Sequence, residues 1–231
     1  MLDWETLGAL GIRLPDQQAG QLDTFHQMLL EKNQRMDLTN VPPEDMAIRH
    51  YADSLLVLHT GLLEPGAKLI DVGSGAGFPG LPLAIARPDL GVTLLESKQK
   101  RCAFLMEVLT RLQLGNVQVL CGRAEDLAVS PRRESFDHAL ARAVAPLNEL
   151  AEYLLPYVRV GGSALCWKGP AVLQEQAAGQ AAARLLGGEI GELVNLGIPG
   201  RSHFIQVIKK TRATPTKYPR KAGTPAKDPL G

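Results

Sequence analysis

The chain of 231 residues has the length of one domain, or of one domain with an extension. Apolar residues make up 45% of it, charged residues 21%, and the net charge is +1, which together describe a globular protein with ample material for a core. No apolar run is long enough to cross a bilayer, and the acidic N-terminus lacks the order of a secretion signal. We therefore expect a cytoplasmic protein without a membrane partner.

Cysteine and histidine residues are few and scattered. Cys102, Cys121 and Cys166 are odd in number and form no Cys-x-x-Cys pair, and the five histidines have no zinc-binding spacing. This pattern argues against a disulfide framework and against a metal site, and it fits a reducing compartment.

The small net charge hides an asymmetry along the chain. Residues 209–231 contain seven basic residues and one acidic residue, whereas residues 1–208 contain 18 basic and 23 acidic residues. A basic tail on an acidic body suggests a polyanionic partner, although a tail that only adds solubility has the same composition.

Helical spacing dominates the first sixty residues. After Pro15, apolar residues recur three, four and seven positions apart, and a second helical segment begins at Pro43 and ends at Gly61. The sequence therefore predicts an N-terminal helical extension over residues 1–62.

From Ala67 onward, short apolar runs alternate with amphipathic helices, which is typical of a parallel α/β sheet with helices on both faces. The last two runs are joined by residues 197–202 alone, which is too short for a crossover helix, so we expect them to pair antiparallel. The sequence thus predicts a seven-stranded, mostly parallel sheet over residues 63–211 and a basic, proline-rich tail over 212–231. The predicted strands are Lys68–Val72, Val92–Glu96, Val117–Cys121, Phe136–Leu140, Gly162–Trp167, Glu189–Leu196 and His203–Lys209.

A glycine-rich loop follows the first predicted strand. Gly75-x-Gly77-x-x-Gly80 fits the dinucleotide fingerprint, whereas Gly73-x-Gly75-x-Gly77 after Asp71 fits the loop of S-adenosylmethionine (AdoMet) methyltransferases. AdoMet carries no phosphate, so an acid at the strand end does not repel it. Asp71 and the antiparallel last strand therefore favour the AdoMet interpretation.

Acidic residues also follow the next two strands. Glu96 ends the second strand, where a carboxylate can bind the ribose hydroxyls of an adenosine cofactor, or can be a surface acid. Ala124 and Glu125 follow the third strand, the position that holds the adenine edge, although Glu125 could equally cap a helix.

The end of the fourth strand indicates which atom is methylated. Ala141-Arg142-Ala-Val-Ala-Pro146 has neither the Asn/Asp-Pro-Pro-aromatic pattern of amine methylation nor a cysteine nucleophile, and Cys166 fits a buried structural thiol. A ring nitrogen such as guanine N7 remains, and its lone pair needs no general base. We expect no acid–base catalyst, with Arg142 as a positioning residue or as part of a salt bridge.

Two basic segments are candidates for RNA contact. Lys98, Lys100 and Arg101 lie in the first turn of a predicted helix, where the helix dipole disfavours cations, so they either contact RNA or form a solvated turn. In the tail, prolines separate the basic residues, so we expect an extended or loosely packed segment without a helix. The alternative is that Tyr218-Pro-Arg-Lys folds back over the cofactor site or the sheet edge as part of the structure. The expected phosphate contacts there are Lys217, Arg220 and Lys221.

Several of these motifs together resemble one family, the bacterial 16S ribosomal RNA guanine-N7 methyltransferases, also called glucose-inhibited division protein B. The resemblance covers almost the whole chain. It rests on Arg49-His50-x-x-Asp53-Ser54-Leu55, Asp71–Leu83, Glu96–Arg101, Gly122–Glu125, Ala141–Ala143, Lys168-Gly169 and Tyr218–Leu230. It implies a Rossmann-like class I AdoMet-dependent methyltransferase that methylates N7 of a single guanine, the family's guanine 527, with no metal.

The resemblance also implies the remaining site residues and partners. Carried over by position, the cofactor residues are Gly73, Phe78, Ala124, Glu125 and Arg142, with Asp71, Gly75, Gly77 and Glu96 added by the general class. The implied partner is 16S rRNA or a 30S assembly intermediate, and the protein is expected to be a monomer. One departure is Asp37, which stands where the family usually has asparagine and is left out of the site.

Three alternatives remain open from the sequence. They are an AdoMet-dependent methyltransferase of small molecules, a non-catalytic RNA-binding assembly factor on the same fold, and an NAD-binding oxidoreductase. The basic tail argues against the first, the intact loop and acids against the second, and the lack of a hydride-site His or Tyr-Lys pair against the third.

Overall fold

One seven-stranded sheet organises the molecule. The structure, a computed structural model, describes residues 1–129 and 131–231. The strands lie in the order β3-β2-β1-β4-β5-β7-β6. Their bounds are β1 Lys68–Val72, β2 Gly91–Glu96, β3 Val117–Cys121, β4 Phe136–Arg142, β5 Val158–Lys168, β6 Gly188–Asn195 and β7 Phe204–Lys210.

Helices cover both faces of the sheet. Two of them, α1 (Trp4–Ala9) and α2 (Asp16–Asn33), precede an irregular helical stretch made of a 3₁₀ turn (Pro43–Asp45), a π-helix (Ala47–Ala52), α3 (Asp53–Leu55) and a second 3₁₀ turn (Leu56–His59). The later helices are α4 Gly80–Ala86, α5 Gln99–Leu112, α6 Ala124–Leu127, α7 Leu147–Leu154, α8 Val172–Leu185 and α9 Thr224–Lys227.

The predicted sheet is confirmed. Strands β1 to β5 pair in parallel, and β7 is antiparallel to both β5 and β6. The predicted start of β5 at Gly162 is wrong, because this strand begins at Val158 and passes through two glycines. A side chain at Gly162 would collide with the carbonyl oxygen of Asp137 on β4, so the two strands approach closely at this glycine.

The core has two parts, one on each face of the sheet. On one face, the N-terminal helices pack on α4 and α5, with Phe25, Tyr51 and Phe78 buried together. On the other face, α7 and α8 pack on the sheet, and Tyr218 from the tail joins this cluster. Residues 1–62 are thus packed against the sheet through a shared core.

The tail is folded, which corrects the expectation of a loose, non-helical segment. Tyr218 is buried, and α9 forms a short helix that begins directly before Pro225, where proline is tolerated. Arg220 donates through Nη2 and Nε to the carboxylate of Glu152, with a shortest distance of 2.7 Å, and it also pairs with Asp228 at 3.2 Å. Because Glu152 on α7 is fully buried, Arg220 supplies the charge that its carboxylate requires.

No helix among the described residues is long and apolar enough to span a membrane. The same residues contain no group of three or more His, Cys, Asp or Glu side chains that could hold a metal ion. Cys102 on α5 and Cys121 at the end of β3 form a disulfide with Cα atoms 6.0 Å apart, a single link that the residue spacing does not predict. Cys166 is buried as expected, and burial raises the pKa of its thiol to about 12.

Candidate active site

The glycine-rich loop is held by Asp71 at the end of β1. The amide of Gly80 donates to Asp71 Oδ2 at 2.9 Å, so the carboxylate joins the strand to the first turn of α4. The other oxygen, Oδ1, has no hydrogen-bond partner among the described residues, and the side chain is fully buried. Burial raises the pKa of Asp71 to about 7.

Glycines are required in this loop for two reasons. Gly73 and Gly77 have φ values of 77° and 105°, which disfavour any other residue. A Cβ on Gly73 would lie 2.8 Å from Val144, and one on Gly80 would lie 2.8 Å from Asp71 Oδ2. The backbone therefore approaches its neighbours more closely than side chains would permit, and it leaves a hollow above the end of β1.

Glu96 fixes the same loop from the neighbouring strand. Its carboxylate accepts from the amide of Gly75 at 2.9 Å and from the amide of Lys98 at 2.8 Å. Arg101 lies 4.0 Å from this carboxylate and donates to the carbonyl of Asp37 at 3.1 Å. Glu96 thus joins β2 to the loop after β1, while Arg101 joins both to the N-terminal extension.

A cavity of about 290 Å³ lies at the carboxyl ends of the strands. The tail contributes to its wall through Ala226, and the amide of Gly223 donates to Glu125 Oε1 at 2.8 Å. Its other lining residues are Val72, Gly73, Leu95, Ser97, Gly122, Arg123, Ala124, Glu125, Val144, Ala145, Glu149 and Tyr153. The position at the carboxyl edge of a parallel sheet is where such folds bind ligands.

A larger cavity of about 490 Å³ adjoins the first, and both are lined by Val144 and Ala145. Ala143, which joins this shared wall to the end of β4 and lines the larger cavity alone, has a φ of 55°, an uncommon value for a residue with a side chain. The larger cavity is lined in addition by Val41, Arg49, His50, Asp53, Arg142, Trp167, Lys168, Gly169, Glu175, Arg201 and His203.

A hydrogen-bonded network forms one wall of this larger cavity. Asp53, almost fully buried, accepts from Arg142 Nη1 at 3.0 Å and from His203 Nδ1 at 2.8 Å. Arg142 Nη2 lies 3.1 Å from His50 Nδ1, and because arginine can only donate, that nitrogen is the acceptor. His50 Nε2 therefore donates to Thr39 Oγ1 at 2.7 Å.

His50 is neutral in this arrangement. Its ring is stacked on Phe78 with centroids 4.5 Å apart, and burial together with the charge of Arg142 lowers its pKa to about 3. Both ring nitrogens are used within the protein. His50 therefore holds Arg142 in place and has no nitrogen left to accept a substrate proton.

The comparison with known proteins agrees with the geometry of the site. Residues 18–204 match the family model described as GidB, rRNA small subunit methyltransferase G. The chain belongs to this family. It is 47% identical to the ribosomal RNA small subunit methyltransferase G of Alkaliphilus oremlandii, over 96% of this chain and 94% of that one. It is 44% identical to the protein of the same name from Leuconostoc mesenteroides, over 98% and 97% of the two chains.

Solved structures agree on the fold. M. jannaschii TYW2 in complex with AdoMet superposes with a TM-score of 0.54 at 14% identity, over 71% of this chain and 78% of that one. A variant of MtNAS in complex with S-adenosylmethionine superposes with a TM-score of 0.57 at 16% identity, over 84% and 76%. The predicted Rossmann-like methyltransferase fold is thereby confirmed.

The cofactor predicted for this GidB-family chain is also confirmed, because the family is one of AdoMet-dependent methyltransferases. The residues present fit such a group. The unpartnered Oδ1 of Asp71 is a polar atom beneath a glycine cradle, and the nearby carboxylates of Glu96 and Glu125 are suited to hydroxyl and amine donors rather than to a pyrophosphate.

The structure sorts the sequence-predicted cofactor residues into three groups. Gly73, Ala124 and Glu125 line the smaller cavity. Asp71, Gly75, Gly77 and Glu96 form and support the loop beside it. The two others lie elsewhere, because the Phe78 side chain is buried among aromatic rings and Arg142 lines the larger cavity.

The predicted RNA contacts are not brought together as one surface. Lys98 and Lys100 are exposed at the start of α5, and Lys221 is exposed in the tail. Lys217 precedes Tyr218, whose carbonyl accepts from Arg133 at 2.8 Å just before β4, so it lies toward the opposite edge of the sheet. Arg101 and Arg220 are engaged in hydrogen bonds within the protein while part of each side chain stays exposed, so their contact with RNA stays a prediction.

Sequence reasoning missed His203 as a site residue. His203 directly precedes β7, and because β7 is antiparallel, its beginning lies beside the carboxyl ends of the parallel strands. The prediction of an antiparallel last strand was therefore the feature of the sequence that could have placed His203 at this edge of the sheet. The sequence predicts Trp167 only as the last residue of the fifth strand, yet its indole donates to the carbonyl of Asp53 at 2.8 Å and fixes that residue's backbone.

Asp71→Asn is expected to change how stability depends on pH. The folded pKa of Asp71 is raised from 3.8 to about 7, so the folded state binds the extra proton between these values and wild-type stability falls as pH rises through this window. Asparagine does not titrate. Measured by urea unfolding, the variant should therefore gain on the order of 2 kcal/mol relative to wild type between pH 5 and pH 8. If the difference in unfolding free energy between Asp71→Asn and the wild type did not depend on pH, this prediction would be wrong.

Proposed function

We propose that this protein transfers the methyl group of AdoMet to N7 of a single guanine in 16S rRNA, with guanine 527 as the expected position. The observation that supports it most is the pair of adjoining cavities at the carboxyl edge of the sheet, which share Val144 and Ala145 as lining residues. The smaller cavity suits the cofactor, and the larger one suits a nucleobase. We propose further that the protein acts in the cytoplasm as a monomer.

The chemistry of N7 fits the groups in the larger cavity. Bound AdoMet supplies an electrophilic methyl group, and the N7 lone pair forms the new N–C bond while the S–C electron pair remains on sulfur. No proton has to leave N7, so no general base is required. Neither His50 nor Asp53 is available as a general base. His50 is neutral with both ring nitrogens engaged in hydrogen bonds, and both carboxylate oxygens of Asp53 already accept hydrogen bonds.

Positioning is therefore the main task of this chain. Arg142 is held at the cavity wall by Asp53, His50 and the carbonyl of Arg49, which lies 2.9 Å from Nη1. Lys168 is held by Glu175 at 2.6 Å and by the carbonyl of Ala145 at 3.1 Å, within the segment shared by both cavities. Fixed side chains of this kind place a base against the cofactor without reorganisation at the moment of reaction.

RNA also has to be presented in a suitable form. N7 in an A-form duplex lies in a deep, narrow groove, so the target guanine should be unpaired or distorted. Mass mapping of modified guanines in small-subunit rRNA from cells with and without this protein tests the proposal. We expect one 7-methylguanosine to disappear with the protein and to return when the purified chain is added. Loss of a different modification would refute it.

Neutralising the exposed cations near the site should weaken the salt dependence of RNA binding. With Lys98, Lys100 and Lys221 changed to Gln, the log–log slope of affinity against salt should decrease by about 2–3 units, if each cation meets one phosphate. A matched control changes Lys68, Arg111 and Lys209 to Gln. Lys68 and Lys209 are exposed at the opposite edge of the sheet and Arg111 is exposed near the end of α5, so this variant should leave the slope unchanged. Equal slopes for both triple variants would contradict the assignment.

Glu96→Ala should weaken AdoMet binding by about 1–3 kcal/mol, because the ribose hydroxyls lose a charged acceptor. The loop amides of Gly75 and Lys98 lose theirs as well, so the melting temperature should fall together with the affinity. Isothermal calorimetry measures the affinity. Glu107→Ala, an exposed change on α5, is the control and should alter neither quantity. Unchanged AdoMet affinity in Glu96→Ala would remove this residue from the site.

A further inference from the structure

We infer that His203, oriented by Asp53, reads the Watson–Crick edge of the target guanine in the larger cavity and selects guanine over bases that lack a donor at N1. The inference rests on the proposed function and extends it to a specificity residue. It rests on the position of His203 in the larger cavity and on the neighbouring polar groups, most of which already have hydrogen-bond partners within the protein.

The tautomer of His203 follows from its partner. Nδ1 lies 2.8 Å from Asp53 Oδ1, and because a carboxylate accepts, Nδ1 carries the hydrogen. When the ring carries one hydrogen, that hydrogen is on Nδ1 and Nε2 has a lone pair, and Nε2 has no hydrogen-bond partner among the residues that the structure describes. The side chain is 32% exposed and lines the larger cavity, whereas Asp53 is 3% exposed. A buried carboxylate thus fixes an imidazole with an acceptor atom left for a ligand.

Most other polar groups at this cavity are donors. Arg49, Arg142, Lys168 and Arg201 are cations, and none of them can accept a hydrogen bond. Asp53 is fully used by Arg142 and His203, while Glu175 Oε2 accepts from Lys168 and from the amide of Leu147. Apart from Oε1 of Glu175, which belongs to the carboxylate paired with Lys168, His203 Nε2 is the side-chain acceptor left without a hydrogen bond among the described residues that line this cavity.

Guanine differs from adenine in what it offers to such an acceptor. Guanine carries hydrogens at both N1 and N2, whereas adenine has a lone pair at N1 that would oppose the lone pair of Nε2. An acceptor placed at N1 therefore favours guanine and rejects adenine through an unsatisfied, repulsive contact.

The same hydrogen bond strengthens during the reaction. As N7 gains the methyl group, positive charge develops on the purine, and the N1–H becomes a stronger donor. An interaction that is stronger in the transition state than in the ground state raises kcat rather than only lowering KM. His203 touches the substrate in this scheme, and Asp53 is a positioning residue that holds the ring.

His203→Asn is the informative variant, because the asparagine amide can still donate to Asp53 in place of Nδ1–H while the acceptor at Nε2 is lost. The full-length protein is assayed with labelled AdoMet on the RNA substrate that the wild type methylates. One substrate carries guanosine at the mapped position and a second carries 2,6-diaminopurine, which keeps N7 and the 2-amino group but has a lone pair at N1. His59→Asn, exposed and remote from the cavity, is the control.

We expect His203→Asn to lower kcat on guanosine RNA about 10- to 100-fold, with the melting temperature and AdoMet affinity unchanged. The wild-type preference for guanosine over 2,6-diaminopurine should shrink by a similar factor, which a purely structural role would not produce. His59→Asn should behave as wild type. An unchanged preference in His203→Asn would overturn the inference. Methylation by the wild type at another atom would instead overturn the proposed function, and mapping the wild-type product separates these two results.

Discussion

Arg220→Ala should destabilise the protein by about 3–5 kcal/mol, because it leaves a charged carboxylate buried without its partner. Glu152 is fully buried and receives three hydrogen bonds from the guanidinium and one from the backbone amide of Arg220, which lies 2.8 Å away. Urea unfolding followed by circular dichroism measures the loss. The expected shift is large relative to the total stability of an ordinary domain.

The double variant Glu152→Gln with Arg220→Ala tests whether the buried charge causes this loss of stability. Removing the buried charge together with its partner should recover a large part of the lost stability, since the penalty comes from the unpaired carboxylate. Lys221→Ala is the control, because that neighbouring side chain is exposed. An Arg220→Ala protein as stable as the wild type would mean that the tail does not hold Glu152 in solution.

Arg142→Ala should cost about 3–5 kcal/mol of stability, because it leaves the almost fully buried Asp53 without the guanidinium that balances its charge. His50 would lose its donor as well, and the guanidinium that lies 5.2 Å from the Phe78 ring would be absent. Methyl transfer should fall at least about 100-fold, the usual effect of removing a fixed donor from an active site.

Arg142→Lys separates the two effects. Lysine keeps the positive charge beside Asp53 but cannot donate to Asp53, His50 and the carbonyl of Arg49 at the same time. We expect stability close to that of the wild type with methyl transfer still strongly reduced, measured by urea unfolding and by transfer of labelled methyl groups. Full activity in Arg142→Lys would show that charge alone is required at this position.

The sheet could be predicted because its strands are short apolar runs, and β1 and β3 have the predicted bounds. The loop could be predicted because glycine at positive φ beside a buried acid is a local requirement, visible in residues close together along the chain. Asp71 and Glu96 both contact that loop, as the AdoMet interpretation requires. Predictions based on local sequence therefore describe the carboxyl edge of the sheet well.

The contacts that sequence reasoning missed join distant parts of the chain. Arg220 and Glu152 are 68 residues apart, Arg101 and Asp37 are 64 apart, and His203 and Asp53 are 150 apart. A cation in such a pair has the same local sequence signature as a cation that faces RNA. Composition indicated a polyanion-binding tail, whereas the buried carboxylate that decides the role of Arg220 becomes visible only in the fold.

The folded tail has a consequence for how this protein folds during its synthesis. Synthesis proceeds from the N-terminus, so residues 212–231 of this chain follow the sheet out of the ribosome. Until they arrive, Glu152 lacks its cation and the smaller cavity lacks the part of its wall formed by Ala226. A nascent chain is therefore left, until residues 212–231 fold back, with a buried unpaired charge and an open cavity at the carboxyl edge of the sheet.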